Sequence, residues 1–266
     1  MKPQRQSDDP GLLARVIFNR RWNFQLDPFP HFRANDVFVP EFAEDLQQAF
    51  RRILRRGCAA QCEPARFSRN MIHSDAFGWD YPPDIKGPLA LFYSQAWLDL
   101  LQALTGIEAT RDMNAALHHH PVASANGTVH RDLNIGWFSD QPRADGVNPM
   151  DVRRCSYANG TAQDPTAKPR RTVRAATMIY YLANKRWKTG DGGETGLYRS
   201  AADPVDSPAL AVAPRNNSLL LFENGPRSFH SFIRNTRHPR NSIILWLHRS
   251  VESTEQRWGR ARLARL

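Results

Sequence analysis

Cysteine is scarce, with three in 266 residues: Cys58, Cys62 and Cys155. An odd number with a single close pair argues against a disulfide framework and a Cys-based structural zinc site. Long apolar runs are missing. The longest, "TMIYYLA" and "SIILWL", are strand-sized, well short of the roughly 18–20 residues that cross a bilayer. The opening "MKPQRQSDDPG" lacks the apolar stretch of a signal peptide, so a cytoplasmic protein with no membrane partner is expected. Acidic charge is in deficit: 26 Asp and Glu stand against 36 Lys and Arg, a net charge of +10. The basic residues are dispersed ("RRILRRG", "KPRRTVR", "RNTRHPR", "RWGRARLARL") rather than gathered in one block, which weighs against a nucleic-acid partner. No internal repeat or low-complexity tract is visible. What the chain does have is apolar substance, 41% of its residues, enough for the core of one large domain.

The order of that substance suggests an architecture. Residues 1–25 read as a polar lead-in, and "DPFPHF" then enters a strand-like stretch. Pro40 suits the first turn of a helix. In "PEFAEDLQQAFRRILRRG", Phe42, Leu46, Ala49, Phe50, Ile53 and Leu54 fall on one face, arginines crowd the last turn, and Gly57 stops it. Ser94 is placed to cap a second helix, "QAWLDLLQAL", that ends at Gly106. The intervening "FGWDYPPDIKGP" reads as an ordered loop. From about residue 113 the texture changes to short strand-like runs: "AALHHHPV", "TVHRDLNIGW", "TVRAATMIYYLA", "ETGLYR", "ALAVAP", "NSLLLFE", "SFHSFI" and "NSIILWLHR". Turn residues separate them, as in an antiparallel sandwich or barrel, with the 40–105 helices as a layer on one face. Residues 139–171 lack periodicity and are rich in Asp, Pro, Asn and Gly. Their length and their place after "TVHRDLNIGW" suggest a lid-like insertion. Residues 250–266 read as a basic helix or frayed tail.

The chemistry begins in that strand-like run. His130 and Asp132 are two apart and share a strand face, because strand side chains alternate. A metal needs a third ligand, and His230 in "SFHSFI" offers one from another strand. His238 lies in a Pro-rich turn and His248 near the chain's end. Two histidines and one carboxylate leave three positions open on iron, the arrangement of non-haem Fe(II) oxygenases. Arg240 follows His230 by ten residues, and its guanidinium fork suits a carboxylate. Ser242, on the same strand face, adds a hydroxyl. Together they resemble an anchor for the distal carboxylate of a 2-oxo acid. In "HHH", alternation sends His119 away from His118 and His120, and the role of the three stays open.

On these residues the chain resembles the Fe(II)- and 2-oxoglutarate-dependent oxygenases, and within them the prolyl 4-hydroxylase-like branch. Besides "HRD" and the downstream "H…R", the resemblance is carried by "RTVRAATMIYYLANKRWKTGDGGETGLY" and "DPFPHFRANDVFVPEFAEDL", and it spans roughly residues 26–249. It implies that His130, Asp132 and His230 ligate iron, that Arg240 binds the 2-oxoglutarate carboxylate, and that Tyr181 hydrogen-bonds the same group. Thr177 and Ser242 are further candidates. The implied fold is mainly β, a double-stranded β-helix (a jelly-roll or cupin-like barrel) with flanking helices from the N-terminal part. Within residues 26–249, 40–105 would be helical support and 113–249 the β-helix core, with 139–171 inserted. The implied cofactors are Fe(II), 2-oxoglutarate as co-substrate and O2, with ascorbate as an accessory reductant. The expected reaction is hydroxylation of an unactivated C–H bond of an amino acid or amino-acid-derived small molecule, releasing succinate and CO2. A prolyl-type protein or peptide hydroxylase is the alternative. A nucleic-acid demethylase is disfavoured, because that branch places its co-substrate arginines further beyond the last histidine. The carboxylate of Asp132 favours hydroxylation over halogenation. One departure stands out: where the family offers a tyrosine from the preceding strand, this chain has "LHHHPVASANG", so His118 or His120 would have to substitute.

Overall fold

A computed structural model describes residues 11–69 and 75–263, with side chains to residue 261. The readings made for residues 1–10 and 264–266 lie outside them. Fourteen strands are described, in chain order: β1 (Asn23–Gln25), β2 (His31–Ala34), β3 (Cys58–Ala59), β4 (Phe67–Ser68), β5 (Phe77–Asp80), β6 (Asp112–His120), β7 (Ile135–Ser139), β8 (Asn148–Pro149), β9 (Pro169–Tyr181), β10 (Thr195–Tyr198), β11 (Leu210–Val212), β12 (Ser218–Glu223), β13 (Phe229–Phe232) and β14 (Arg240–Ser250). Eleven of them form one sheet in the order β1-β2-β12-β9-β14-β6-β5-β4-β3, with β7 on β9 and β8 on β6. The other three form a small sheet, β11-β10-β13. The molecule is therefore strand-rich with helices, a mixed architecture.

Period-two alternation assigns each face of the large sheet. On β9, Ala176, Met178 and Tyr180 pack into one core, as do Met113, Ala115 and Leu117 of β6 and Ile243, Leu245 and Leu247 of β14. That core is closed by α2 (Pro40–Leu54), which follows α1 (Leu12–Val16), and by α3 (Gln95–Thr105). Phe42, Leu46 and Phe50 of α2 and Trp97, Leu98 and Leu101 of α3 supply the helical side. The intervening residues face the other way. Ile179 and Tyr181 of β9 and Leu220 and Phe222 of β12 pack against Leu197 and Val212 of the small sheet. Further along the same inner face, polar residues replace apolar ones, and a cavity opens between the sheets.

The local signals act as physics requires. Pro40 begins α2, the Ser94 hydroxyl accepts from the Trp97 amide, and Gly106 closes α3 with φ 68°, a left-handed conformation that glycine takes at little cost. Three readings need correction. The polar lead-in contains α1, whose Leu12 and Val16 are buried in the main core, and β1, which pairs with β2. The segment read as a loop holds β5, paired with β6, and a 3₁₀ helix at Gly87–Tyr93. The "TVHRD" run is a strand only in part: His130 makes an isolated bridge to His230, and regular pairing begins at Ile135. At the other end, α4 (Val251–Trp258) is packed rather than frayed. Val251 and Trp258 lie on a small core with Leu133 and Val173.

The helical layer should be part of one cooperative core. Trp97 is fully buried and its ring lies 5.6 Å from Phe38 and 5.3 Å from Phe92. Trp97→Ala is expected to cost about 3–5 kcal/mol in urea-induced unfolding. A loss under about 1 kcal/mol would mean that the helices fold apart from the sheet.

Candidate active site

A cavity of about 840 Å³ lies between the sheets, lined among others by His130, Asp132, His230 and Arg240. His130 and Asp132 come from the irregular stretch before β7, and His230 from β13. The bridge between His130 and His230, with amide–carbonyl contacts of 3.0 and 2.8 Å, fixes the two histidines side by side. One ligand atom from each of the three residues lies within 4.8 Å of the others. Asp132 Oδ1 is 3.6 Å from His130 Nε2, and Oδ2 is 3.6 Å from His230 Nε2.

The surroundings leave the right atoms free for a cation. His130 Nδ1 faces the Thr128 carbonyl at 2.8 Å, and His230 Nδ1 faces the Ser228 carbonyl at 3.1 Å. Each ring therefore keeps its proton on Nδ1 and offers the Nε2 lone pair, the arrangement by which outer contacts orient metal-binding histidines. Asp132 Oδ2 accepts from Thr177 Oγ1 at 2.8 Å and from Trp246 Nε1 at 2.7 Å, which leaves Oδ1 open. Burial works against ionisation of Asp132, yet the attraction of His230 and Arg174 and the nearby imidazoles hold its carboxyl well below the usual range. Two imidazole Nε2 atoms and a carboxylate on one side suit Fe(II).

The second part of the site is cationic. Arg240, at the start of β14, is buried. Its Nη1 donates to Ser242 Oγ at 3.0 Å and its Nη2 to Thr195 Oγ1 at 3.1 Å, while Tyr181 donates to the same Thr195 hydroxyl at 2.7 Å. Nε has no partner. Among the described residues no carboxylate pairs with this guanidinium. A buried charge without a counter-charge is costly, and here a ligand carboxylate would supply one.

The predicted residues thus form two groups in one cavity: His130, Asp132 and His230, and Arg240, Ser242 and Tyr181. Thr177 falls with the first, bonded to Asp132. His118 and His120 both face the cavity, whereas His119 turns away to Asn241 at 2.7 Å. Burial, with the nearby Arg240 charge, pushes His118 down to about 3 and His120 well below its ordinary range, so both are neutral. Sequence reasoning missed Thr195, although the "GGET" block that holds it was in view. It also missed Trp246, Arg174 and Tyr157. No local signal marks these; an indole in an apolar run and an arginine in a strand become site residues only through pairing across the sheets.

Residues 150–248 match the model of the 2OG-Fe(II) oxygenase superfamily. The match contains His230 and Arg240, and the fold brings His130 and Asp132 to them from outside it. Over these residues the chain is similar to this superfamily. That match, with the cluster of His130, Asp132 and His230, marks a 2OG-Fe(II) oxygenase site whose cofactors are Fe(II) and 2-oxoglutarate. Solved structures similar to it include a Pseudomonas putida prolyl-4-hydroxylase, at 18% identity over 84% of this chain and 95% of that one, with a TM-score of 0.53. A Trichoplax adhaerens prolyl hydroxylase, solved with a hypoxia inducible factor oxygen degradation domain peptide fragment, has 18% identity over 84% and 85%, with a TM-score of 0.52. A viral collagen prolyl hydroxylase from Paramecium Bursaria Chlorella virus-1 has 10% identity over 83% and 96%, with a TM-score of 0.50. These likenesses show the fold alone. No described helix is long and apolar enough to cross a membrane.

The indole contact gives a test of the metal centre. Trp246→Phe removes the donor to Asp132 Oδ2 and keeps most of the ring. Metal affinity is expected to fall about 10–100-fold, the usual cost of losing an outer contact to a ligand. A Co(II) titration followed by its visible spectrum measures this, and unchanged affinity would show that the indole does not orient the carboxylate.

Proposed function

We propose that this oxygenase hydroxylates an unactivated C–H bond of a prolyl-type residue in a peptide or protein. The observation that carries the oxygenase part is the sharing of one cavity by a three-ligand cluster and a buried, uncompensated Arg240. Iron held by His130, Asp132 and His230, with 2-oxoglutarate and O2, supplies the oxidant for C–H hydroxylation, with succinate and CO2 released. The chain's own residues do the rest. Arg240, steadied by Ser242 and Thr195, grips the distal carboxylate of the co-acid. Tyr181 holds Thr195 in place from behind. Thr177 and Trp246 keep Asp132 turned toward the metal. Residues 150–163 contribute one wall of the cavity.

The peptidyl part is supported by the three structural neighbours, which are prolyl hydroxylases, one of them solved with a peptide. The size of the cavity adds to it. At about 840 Å³ it lies toward the upper end of the roughly 300–1,000 Å³ of small-molecule sites, which leaves room for a co-acid and a second molecule. The fold that goes with this reading is a double-stranded β-helix in a single domain of residues 26–249. Its larger sheet would be built around β6, β14, β9 and β12. Its smaller sheet would be β11, β10 and β13 extended by the bridge at His130. One observation favours a free amino acid as a second reading. Arg174 sits beside Asp132 with Nη1 3.9 Å from Oδ1, and a guanidinium there suits a substrate carboxylate.

Two measurements test the proposal. Arg240→Ala should raise the apparent KM for 2-oxoglutarate by about 10-fold or more, since a charge-assisted contact is worth about 1.5–3 kcal/mol. An unchanged KM would mean that another group grips the co-acid. In a succinate-release assay with Fe(II), proline-containing peptides should stimulate turnover above the uncoupled rate, and His230→Ala should abolish it. Stimulation by free amino acids alone would replace the peptidyl reading with the second one.

A further inference from the structure

Residues 139–171 supply one wall of the cavity, and their link to the site runs through one hydroxyl. Tyr157 Oη lies 2.8 Å from His248 Nε2 and 2.9 Å from Arg174 Nε. The direction of each bond is fixed. His248 Nδ1 faces the Asp112 carbonyl at 3.1 Å, so the proton is on Nδ1 and Nε2 accepts. Burial, helped by the Arg174 charge, pushes His248 down to about 3, so the ring stays neutral. Tyr157 therefore donates its proton to His248, and its oxygen accepts from Arg174 Nε–H. The room for the Tyr157 ring depends on Gly136 having no side chain, because a Cβ there would lie 2.6 Å from the ring.

Held by Nε, the Arg174 guanidinium rests 4.0 Å over the ring of Trp246, the indole whose N–H bonds Asp132. Its Nη1 stands 3.9 Å from Asp132 Oδ1, too far for a hydrogen bond. Among the described residues no acceptor takes either Nη group, and Arg174 lines the cavity. Its two Nη groups thus lie at the cavity beside the metal ligands, without a hydrogen-bond acceptor among the described residues, although the Asp80 carboxylate also lines the cavity and attracts the guanidinium.

We propose that Tyr157 is a positioning residue for substrate recognition. It fixes Arg174 through Nε so that both Nη groups receive a substrate oxygen beside Asp132, either a peptide carbonyl or a free carboxylate. This rests on reading the cavity as the substrate site, and it makes the 139–171 segment part of recognition rather than a passive cover.

The experiment uses the whole chain, 15N-labelled and loaded with Zn(II) and N-oxalylglycine, with the Trp246 indole N–H resonance as reporter. That resonance is assigned by its loss in Trp246→Phe. Acetate and N-methylacetamide are titrated separately, as probes of the carboxylate and amide-carbonyl sources. In the parent, at least one probe should shift the reporter in a saturable way, and the one that binds more tightly names the source. Arg174→Gln should abolish the response. Tyr157→Phe keeps the ring against Gly136 and should weaken probe binding about 10-fold, as for one lost hydrogen bond to a charged group, with N-oxalylglycine affinity unchanged. A parent that responds to neither probe, a response that survives Arg174→Gln, or a Tyr157→Phe titration equal to the parent's each overturns the proposal. Failure of N-oxalylglycine to bind would count instead against the co-acid reading, and the Arg174 titration would then be read on the zinc form alone.

Discussion

The carboxylate of Asp132 is the point on which the site depends. Its Oδ2 is tied to Thr177 on β9 and to Trp246 on β14, at 2.8 and 2.7 Å. Those two strands are neighbours in the large sheet, with Thr177 and Trp246 directly opposite each other. Asp132 itself belongs to the irregular stretch that continues the small sheet through the His130–His230 bridge. One side chain therefore fastens the loosest part of the site to its most regular part. A buried carboxylate cannot stay where it is without such partners, so the bonds that orient it for a metal are the same ones that make its burial tolerable.

The large sheet meets two incompatible demands by alternation. One face must be apolar to hold α2 and α3; the other must be apolar near the small sheet and polar around the cavity. On β14 the helix-facing residues are Ile243, Leu245 and Leu247, while Ile244 and Trp246 line the cavity and Ser242 joins Arg240. On β6 the cavity face carries Asn114, Ala116, His118 and His120. A shift of one residue in either strand would bury the polar set against the helices. The long ladders β14–β6 and β14–β9 hold that register.

Legibility in the sequence followed the range of the interaction. Helices α2 and α3 could be read because Pro40, Ser94, Gly57 and Gly106 act within one turn of where they stand. The three ligands and Arg240 could be read because two-apart spacing and a known family pattern are visible on a line. Thr177 was picked out as a contact of the co-acid, but its hydroxyl goes to Asp132, 45 residues away in the chain. Trp246 pairs with a partner 114 residues away, and Tyr157 with one 91 residues away. Neither has a neighbour that announces its task. The strand Phe77–Asp80 was hidden for another reason: its short run is followed at once by "YPPDIKGP", and proline and glycine punctuation marks strand ends as well as loops.

Two arginines share the cavity and are held in opposite ways, and the difference decides what each can do. Arg240 spends its Nη groups on Ser242 and Thr195, both neutral hydroxyls that can turn and share. Among the described residues its charge has no carboxylate partner, and it lies in a buried corner of the cavity. Arg174 spends Nε on Tyr157 and lays its face on Trp246, which satisfies the back of the guanidinium and leaves its front free. A carboxylate near Arg174 would also feel Asp132, until a metal takes up that charge. On the proposed reading, binding at the two arginines would be ordered by electrostatics: the Arg240 corner would attract a carboxylate with or without metal, whereas the Arg174 front, with Asp132 and Asp80 near it, would become more attractive to an anion once a metal neutralised Asp132. On that reading an anionic or carbonyl-bearing substrate would be favoured in a site that already holds its metal.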